Sequence, residues 1–470
     1  MNSEPFNTIL TIVNLTIWLC ILYNGKKTTT RFLSPYALFA FGVLAFYVVP
    51  GIYWNYREWT YSIPNYLDGM PQVHLIAICL GFPMLLCLLI GRTTPIPVLE
   101  YESLSRLKFA SWGANIFLLL TALGFAWRIS LFTLGFQGRF ERSNPTLFGS
   151  EDLGFLVGNV GYYCRMFYYV PMLIGTRKQV RLAYIAWVFD GLLQIAALHR
   201  YAMLIFIFDS YIFLLLRGQV FSIRRSVLVV SSILFTLTIV GYSAILAPDF
   251  QKNDSNFLSP LEVISLLSAS TSDYIDGRFN LHSIQSESSS FLLRTIDDTM
   301  FRLYDGRSAA AVVPSYPLIY PYLDGETIIP VIYALIPRFF WPSKPELRDT
   351  HVLTTDFMPG DSGVNPLGTL AELYINGGYV LVFFGGIFST FLFALLLKKL
   401  NTTKILQQIA ICVTYPFIGE ILVSASKNVS QRLSEGLRMI LVYYFVLVIL
   451  KLAYKGIAGK QIVATEGGVS

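Results

Sequence analysis

The sequence predicts an all-α polytopic membrane protein with about eleven transmembrane helices and one large segment outside the cytoplasm. Three observations support this prediction. Of the 470 residues, 54% are hydrophobic and only 14% are charged, whereas soluble domains carry roughly 25% charged residues. The mean hydropathy is +0.57. Apolar blocks long enough to cross a bilayer recur along the whole chain, which excludes disordered, collagen-like and coiled-coil proteins.

The individual spans follow from the length of each apolar block. A helix needs about 20 mostly apolar residues to cross about 30 Å of hydrocarbon. On this criterion we predict spans at 6–24, 33–54, 73–91, 109–128, 154–175, 182–199, 202–216, 226–247, 371–397, 405–425 and 437–454. The chain thus divides into an N-terminal transmembrane bundle (1–247), a large outer segment (248–370) and C-terminal transmembrane helices (371–470).

Basic residues concentrate in alternate connections, and cytoplasmic loops are the ones that carry such an excess. Six connections hold three basic residues each: Lys26, Lys27 and Arg31; Arg92, Arg106 and Lys108; Arg177, Lys178 and Arg181; Arg217, Arg224 and Arg225; Lys398, Lys399 and Lys404; Lys451, Lys455 and Lys460. The opposite side holds 248–369, with eight basic against fifteen acidic residues. We therefore predict a cytoplasmic C-terminus and a periplasmic large segment. The net charge of +6 reflects this cytoplasmic excess, so nucleic acid is not a predicted partner.

The large outer segment is the expected place of function, because long loops without regular structure are uncommon and usually functional. The stretch 308–341 is apolar but contains five prolines, which argues against a spanning helix. Short membrane-associated helices, lying along the surface or dipping into it over a cavity, fit this composition better. The aromatic residues of the stretch suit either interfacial anchoring or a platform for carbohydrate.

Ionisable residues inside or at the outer ends of spans are costly and usually functional. The sequence places most of them at the predicted outer interface: Arg128, Arg165, His199, Arg200, Glu372, Arg432 and Arg438. Each one alone could be a structural ion pair or a snorkelling side chain, whereas their convergence favours a functional site. Glu420 lies apart from this set, and the sequence identifies no partner for Asp190 or Asp209.

The residue types in this set indicate phosphate chemistry. No Walker loop, dinucleotide-binding glycine motif, zinc-protease motif or nucleophile elbow is present in the sequence. Acid pairs such as Asp297 and Asp298, or Asp273 and Asp276, are more often solvated or capping than metal-binding, so neither a metal nor a cofactor is predicted. Arginine binds phosphate oxygens in a bidentate way. A lipid-linked diphosphate therefore fits, with arginines stabilising the leaving group and a carboxylate or imidazole accepting the proton of an attacking hydroxyl.

Four patches carry a family resemblance: LHRYAMLIF around Arg200, IPRFFWPSKPE at 336–346, GVNPLGTLAELYINGGYV at 363–380 and NVSQRLSEGLRMIL at 428–441. Together with the many spans and the large outer loop, they resemble the Wzy-type polymerases of O-antigen and enterobacterial common antigen. The resemblance implies a glycosyltransferase C-type fold of the metal-independent branch. It also implies transfer of glycan from undecaprenyl diphosphate to a lipid-linked oligosaccharide repeat unit, on the outer face of the bacterial inner membrane. A chain-length regulator of the polysaccharide co-polymerase type is the implied protein partner.

The resemblance assigns the diphosphate to outer-loop arginines, and the remaining candidates follow from charge and position. The diphosphate or substrate ligands are Arg200, Arg338 and Arg432, with Lys344, Arg302 and Arg128 in support. The candidate general bases are Glu372, His351 and Asp356, which the sequence does not rank. For Arg338 and Lys344 the alternative is structural pairing with Glu346 or Asp349.

Two other functions compete with the polymerase. An O-antigen ligase would share the general fold and the leaving group, but would transfer finished glycan to lipid A core. A transporter or flippase of lipid-linked sugars would need charges deep along a central cavity and usually shows repeated halves. Neither feature is visible in this sequence, whose charges concentrate at one interface. The glycine pairs Gly377–Gly378 and Gly385–Gly386 predict close helix packing in the ninth span.

Overall fold

The computed structural model describes residues 4–27, 34–56, 66–90, 109–133, 164–196, 200–216, 300, 306–329, 341, 367–400, 402, 404–424 and 427–466. All regular secondary structure within these ranges is helical, and they contain no strand. The predicted all-α class is therefore confirmed for the part of the chain that the structure describes.

Twelve α-helices occur in the described ranges: α1 Glu4–Lys27, α2 Pro35–Val43, α3 Val49–Tyr56, α4 Tyr66–Ile90, α5 Ser111–Thr133, α6 Tyr169–Ile174, α7 Arg177–Ala196, α8 Arg200–Leu216, α9 Gly306–Val312, α10 Gly368–Leu400, α11 Ile405–Val423 and α12 Val429–Glu466. The π-helical stretch Leu44–Val48 joins α2 to α3 without a break. Tighter 3₁₀ turns precede α6, at Arg165–Tyr168, and follow α9, at Val313–Ser315.

Seven stretches of the described helices are long and apolar enough to cross a membrane. They are Asn7–Gly25, Pro35–Tyr53, Gly69–Ile90, Ser111–Ser130, Gly368–Leu400, Ile405–Val423 and Gln431–Tyr454. Each of them overlaps one of the spans predicted from the sequence. The chain therefore has the character of a multi-pass membrane protein.

The other four predicted spans remain predictions, and with them the total of eleven. The span at 182–199 falls on α7, whose first turn carries Arg177, Lys178 and Arg181. The span at 202–216 falls on α8, which has only 17 residues. In the span predicted at 154–175, the described residues form a 3₁₀ turn, Arg165–Tyr168, and the short α6. The remainder of that span, 154–163, and the span at 226–247 lie outside the described residues.

The chain clusters into two compact units. Unit 1 draws on Met1–Leu99, Leu215–Gly218 and Met300–Leu447, and unit 2 on Glu100–Leu214, Gln219–Thr299 and Val448–Ser470. In unit 1, α4 packs against α1, α9 and α10, while α2 packs against α1 and α11. In unit 2, α5, α6 and α7 pack together with the 3₁₀ turn that precedes α6. The three-part division at 247 and 370 remains a prediction.

Aromatic side chains form the centre of unit 1. Trp18 of α1 is fully buried, and its ring lies 5.8 Å from that of Phe39 on α2. Phe39 in turn meets Phe393 of α10 at 5.5 Å, and Tyr36 meets the same ring edge-on at 5.3 Å. Large aromatic pairs of this kind add to the energy of area burial, so they hold α1, α2 and α10 in one bundle.

The helix α10 is broken at Gly377 and Gly378, whose backbone angles are not helical. Leu373, before the break, contacts Gly385, after it. Because a straight helix would separate residues twelve positions apart by about 18 Å, the first segment must fold back on the second. The sequence prediction of close packing is wrong for this glycine pair. It holds for Gly386, which touches the carbonyl of Leu80 on α4.

Replacing Gly378 by alanine is expected to lower the free energy of unfolding by about 1–3 kcal/mol, because its backbone angles are nearly exclusive to glycine. Its φ is +63° and its ψ is −159°, and an added Cβ would lie 2.8 Å from the Tyr322 hydroxyl. Gly436 is the matched control: a Cβ there meets nothing within 4 Å. Gly436→Ala in α12 is expected to stabilise by about 0.5–1 kcal/mol. Thermal melting of both variants in detergent checks this, and equal melting temperatures would contradict the break.

Candidate functional site

Three helix ends meet in unit 1: the start of α10, the end of α11 and the start of α12. The Thr369 hydroxyl donates to the carbonyl of Lys427 at 2.6 Å. The Val429 N–H donates to the Glu372 carboxylate. These contacts connect α10 to the α11–α12 connection, 57 residues or more along the chain. The meeting point, defined by Glu372, Glu420, Lys427, Arg432 and Glu435, is called the charge cluster below.

Glu372 is the most deeply buried member of the charge cluster, with no exposed surface. Its Oε2 accepts the Val429 N–H at the start of α12, a position where a helix favours negative charge. Arg432 interacts electrostatically with this carboxylate, and the Thr327 side chain is a hydrogen-bonding neighbour of it. Oε1 forms no hydrogen bond with any residue that the structure describes. Within that part of the chain, one carboxylate oxygen is thus anchored and the other has no hydrogen-bond partner.

Arg432 is tied to the backbone at the end of α11. Its guanidinium donates to the carbonyls of Lys427 at 3.3 Å, Leu422 at 3.4 Å and Ser424. The last carbonyls of a helix have no partner within the helix, and a basic side chain both pairs them and complements the helix dipole. The guanidinium also lies over the ring of Phe39, 5.1 Å from its centroid. In this arrangement Arg432 caps α11.

Lys427 lies between two glutamates. Its ammonium Nζ is 2.6 Å from Glu435 Oε2 and 3.4 Å from Glu420 Oε1. The lysine side chain is 15% exposed, that of Glu435 26% and that of Glu420 only 5%. The sequence sets Glu420 apart from the other ionisable residues, but the structure brings it into the charge cluster. Partial burial makes these pairs stronger than surface ion pairs.

The loop that follows α9 holds the first segment of α10 in place. The Asn376 amide donates to the Thr327 hydroxyl and to the Glu372 carbonyl, both at 2.7 Å. The Leu323 N–H donates to the carbonyl of Ile375 at 2.9 Å. These bonds satisfy backbone groups that the break in α10 would otherwise leave without partners. Glu372 therefore lies on a segment that is fixed from two sides.

The charge cluster lies beside α2. The carbonyl of Val423, the last residue of α11, touches Gly42, and Arg432 covers Phe39. The sequence predicts that α2 and α11 start on the same side of the membrane, so straight parallel spans would bring Gly42 level with the first half of α11. The structure differs: the end of α11 meets Gly42, at the end of α2 and before the π-helical stretch. The cluster is consequently packed beside α2 rather than beside α3, where straight parallel spans would place it.

Among the described residues of unit 2, two buried arginines are paired with two buried aspartates. Arg128 Nη1 lies 2.5 Å from Asp190 Oδ1, and the Tyr168 hydroxyl donates to Asp190 Oδ2 at 3.1 Å. Arg165 Nη2 lies 2.5 Å from Asp209 Oδ2. These are the partners that the sequence could not identify for the aspartates. They favour a structural part for Arg128 and Arg165, and phosphate binding by Arg128 remains a prediction.

Of the predicted site residues, the structure brings together Glu372 and Arg432. Arg200 is the first residue of α8, and its side chain lies outside the part of the chain that the structure describes. The same holds for the whole of five other candidates, His351, Asp356, Arg302, Arg338 and Lys344. Their assignments remain predictions.

The sequence interpretation missed Lys427 and Glu435. Both are next to or within the patch 428–441, which was singled out for Arg432. A signal was present, because Lys427 is a basic residue in a connection predicted to be periplasmic, where basic residues are uncommon. Such a lysine needs counter-ions, and Glu435 lies eight residues further on. Within the described residues, no group of three or more His, Cys, Asp or Glu side chains is arranged to hold a metal ion.

Comparison of the chain with protein-family models, with curated proteins and with solved structures finds no match.

Proposed function

We propose that this protein is a glycosyltransferase that polymerises undecaprenyl-diphosphate-linked oligosaccharide repeat units and releases undecaprenyl diphosphate. The observation that carries the proposal is Oε1 of the buried Glu372, which has no hydrogen-bond partner among the described residues and lies in a cluster that also contains Lys427 and Arg432. A general base needs a free lone pair that faces a proton donor. A departing diphosphate needs nearby positive charge. The charge cluster contains an acceptor oxygen for the first step and two cations for the second.

The proposed reaction assigns one step to each kind of group. The Glu372 carboxylate accepts the proton of the hydroxyl at the non-reducing end of the incoming repeat unit. That oxygen then attacks the anomeric carbon of the growing glycan, and the bond to the diphosphate oxygen breaks. Cationic side chains stabilise the negative charge that appears on the diphosphate. The predicted ligands Arg200 and Arg338 would act on the same leaving group.

Location on the outer face of a bacterial inner membrane is part of the proposal. It is supported by the distribution of basic residues between alternate connections, which also gives the cytoplasmic C-terminus. Membrane-spanning helices are what a lipid-linked substrate requires, since its polyprenyl chain stays in the bilayer. The glycosyltransferase C-type fold and the chain-length regulator as partner are proposed on the family resemblance alone.

A polymerisation assay tests the proposed function. Purified protein in detergent with EDTA receives the lipid-linked repeat unit isolated from its own source, and the products are separated by size. We expect a ladder of products that is lost in Arg338→Ala and in Arg200→Ala. Arg181→Ala is the matched control, because Arg181 is exposed on α7 in a connection predicted to be cytoplasmic, and it should retain the ladder.

Two results would contradict the polymerase. Transfer of glycan to added lipid A core, without a ladder, would identify a ligase. Movement of the lipid-linked substrate across liposomes, with neither ladder nor transfer, would identify a transporter.

A further inference from the structure

Lys427 has an unusual combination of a fixed backbone and a side chain held between acids. Its carbonyl accepts from Thr369 of α10 at 2.6 Å and from Nε of Arg432 at 3.3 Å. The residue is therefore held from two sides at its main chain. Its ammonium reaches Glu435 and Glu420. A lysine that only neutralised one buried acid would not need this degree of positioning.

The two glutamates differ in how firmly they are held. Glu420 is almost fully buried within α11, and its contact with Nζ is the longer one, at 3.4 Å. Glu435 makes the shorter contact, at 2.6 Å, although its side chain is 26% exposed. Glu435 therefore has room to rotate away from Nζ, whereas the buried Glu420 does not. Arg438 also interacts electrostatically with Glu435 and can retain that carboxylate once it has turned away.

Charge counting indicates what displaces Glu435. The charge cluster holds two cations, Lys427 and Arg432, and three acids, and the neighbouring Arg438 brings the formal sum to zero. Such a neutral group has no net attraction for a diphosphate. If Glu435 moves away, Lys427 Nζ keeps its positive charge and has hydrogen-bond donors that are no longer used by Glu435. A phosphate oxygen can then bind there, because an ammonium offers three donors to oxygen anions.

We propose that Lys427 is a diphosphate-binding residue and that Glu435 occupies its ammonium until a diphosphate displaces it. This rests on the proposed function in taking a polyprenyl diphosphate as the anion. Glu435 is then an internal competitor, and Arg432 and Thr369 are positioning residues that hold the backbone of Lys427. No covalent step is involved, since the exchange replaces one oxygen anion by another at Nζ.

Direct binding measurements test the inference on the full chain in detergent. The probes are geranylgeranyl diphosphate, inorganic pyrophosphate and the uncharged geranylgeraniol, each titrated by calorimetry. We expect Lys427→Met to weaken binding of geranylgeranyl diphosphate about tenfold or more, as loss of a charged hydrogen bond does. Glu435→Gln should tighten it by about three- to tenfold, because a neutral amide competes less well for the ammonium. Lys404→Met, at the exposed lysine before α11, should bind as the wild type does.

A second variant guards against misfolding, since Lys427→Met leaves Glu420 and Glu435 without their shared cation. The double variant Lys427→Met/Glu435→Gln removes one charge of each sign and should melt near the wild-type temperature while still binding weakly. Wild-type affinity in the double variant, or no tightening in Glu435→Gln, overturns the inference. Equal affinity for geranylgeraniol and geranylgeranyl diphosphate overturns it as well, because the ammonium would then contribute nothing.

The remaining probe, inorganic pyrophosphate, distinguishes a site for any diphosphate from a site for a lipid-linked diphosphate. Displacement of geranylgeranyl diphosphate by inorganic pyrophosphate supports a site that recognises phosphate as such, and failure to displace it supports recognition of the lipid-linked form. The result is also separable from the polymerase assay. Product ladders with unchanged binding in Lys427→Met overturn this inference alone, whereas the expected binding changes without any ladder overturn the polymerase alone.

Discussion

Replacing Glu372 by glutamine is expected to lower the rate of repeat-unit transfer by a factor on the order of 10² to 10⁴, which is the usual contribution of a general base. Glutamine keeps the length of the side chain. It also keeps an oxygen that can accept the hydrogen bond from the Val429 N–H, as Glu372 Oε2 does. It cannot take up a proton at neutral pH. The polymerisation assay measures the rate, and thermal melting in detergent establishes that the variant folds.

The same substitution separates catalysis from structural anchoring. If Glu372 only ties α10 to the start of α12, glutamine should preserve both that bond and the rate. A rate within twofold of the wild type would therefore remove Glu372 as the base. Glu326→Gln is the matched control, because Glu326 is an exposed acid on the loop that follows α9, and it should leave the rate unchanged.

The largest expected effect on stability belongs to the buried pair of Arg165 and Asp209. Asp209→Asn is expected to cost about 3–5 kcal/mol in the free energy of unfolding, because it leaves a buried guanidinium without its counter-charge. Both side chains are only 1% exposed, so water cannot replace the lost partner. The drop in melting temperature in detergent, together with the fraction of monodisperse protein, measures the loss.

Replacing both partners should cost much less than replacing one. The double variant Arg165→Met/Asp209→Leu removes both charges, and apolar groups of similar volume often substitute for a buried ion pair without loss. Arg181→Met, at the exposed arginine of α7, should change stability by no more than about 0.5 kcal/mol. If Asp209→Asn were as mild as this control, the pair would not be buried as described.

Unit 2 illustrates why convergence of charges along a sequence does not identify a site. The sequence places Arg128 and Arg165 with the candidate functional residues, because both lie in apolar spans near one predicted interface. Their partners are 62 and 44 residues away along the chain, and only the packing of α5, α7 and α8 with the turn before α6 brings them together. A charge in an apolar helix predicts that a partner exists. Which residue it is depends on how the helices are arranged.

The break in α10 shows the same limit for glycine. A pair of glycines inside an apolar helix is compatible with close packing and with a change of direction. Gly386 allows close packing against Leu80 of α4, whereas Gly378 allows the chain to change direction. The difference depends on neighbours: Tyr322 occupies the space beside Gly378, and Thr327 and Leu323 bond the segment before it. None of these neighbours is near the glycines in the sequence.

The sequence by itself predicted a helical, multi-pass membrane protein, seven of whose eleven predicted spans fall on described helices able to cross a membrane, and it singled out Glu372 and Arg432. Hydropathy is a sum over neighbouring residues, so a single apolar block is sufficient to predict a span. Only the tertiary structure decided that Glu372 is anchored at the start of α12 with one oxygen unpaired. It also decided that Lys427 lies between Glu420 and Glu435. Ion pairs and unpaired atoms depend on distances of a few ångströms between different helices, and these distances are set by packing rather than by local composition.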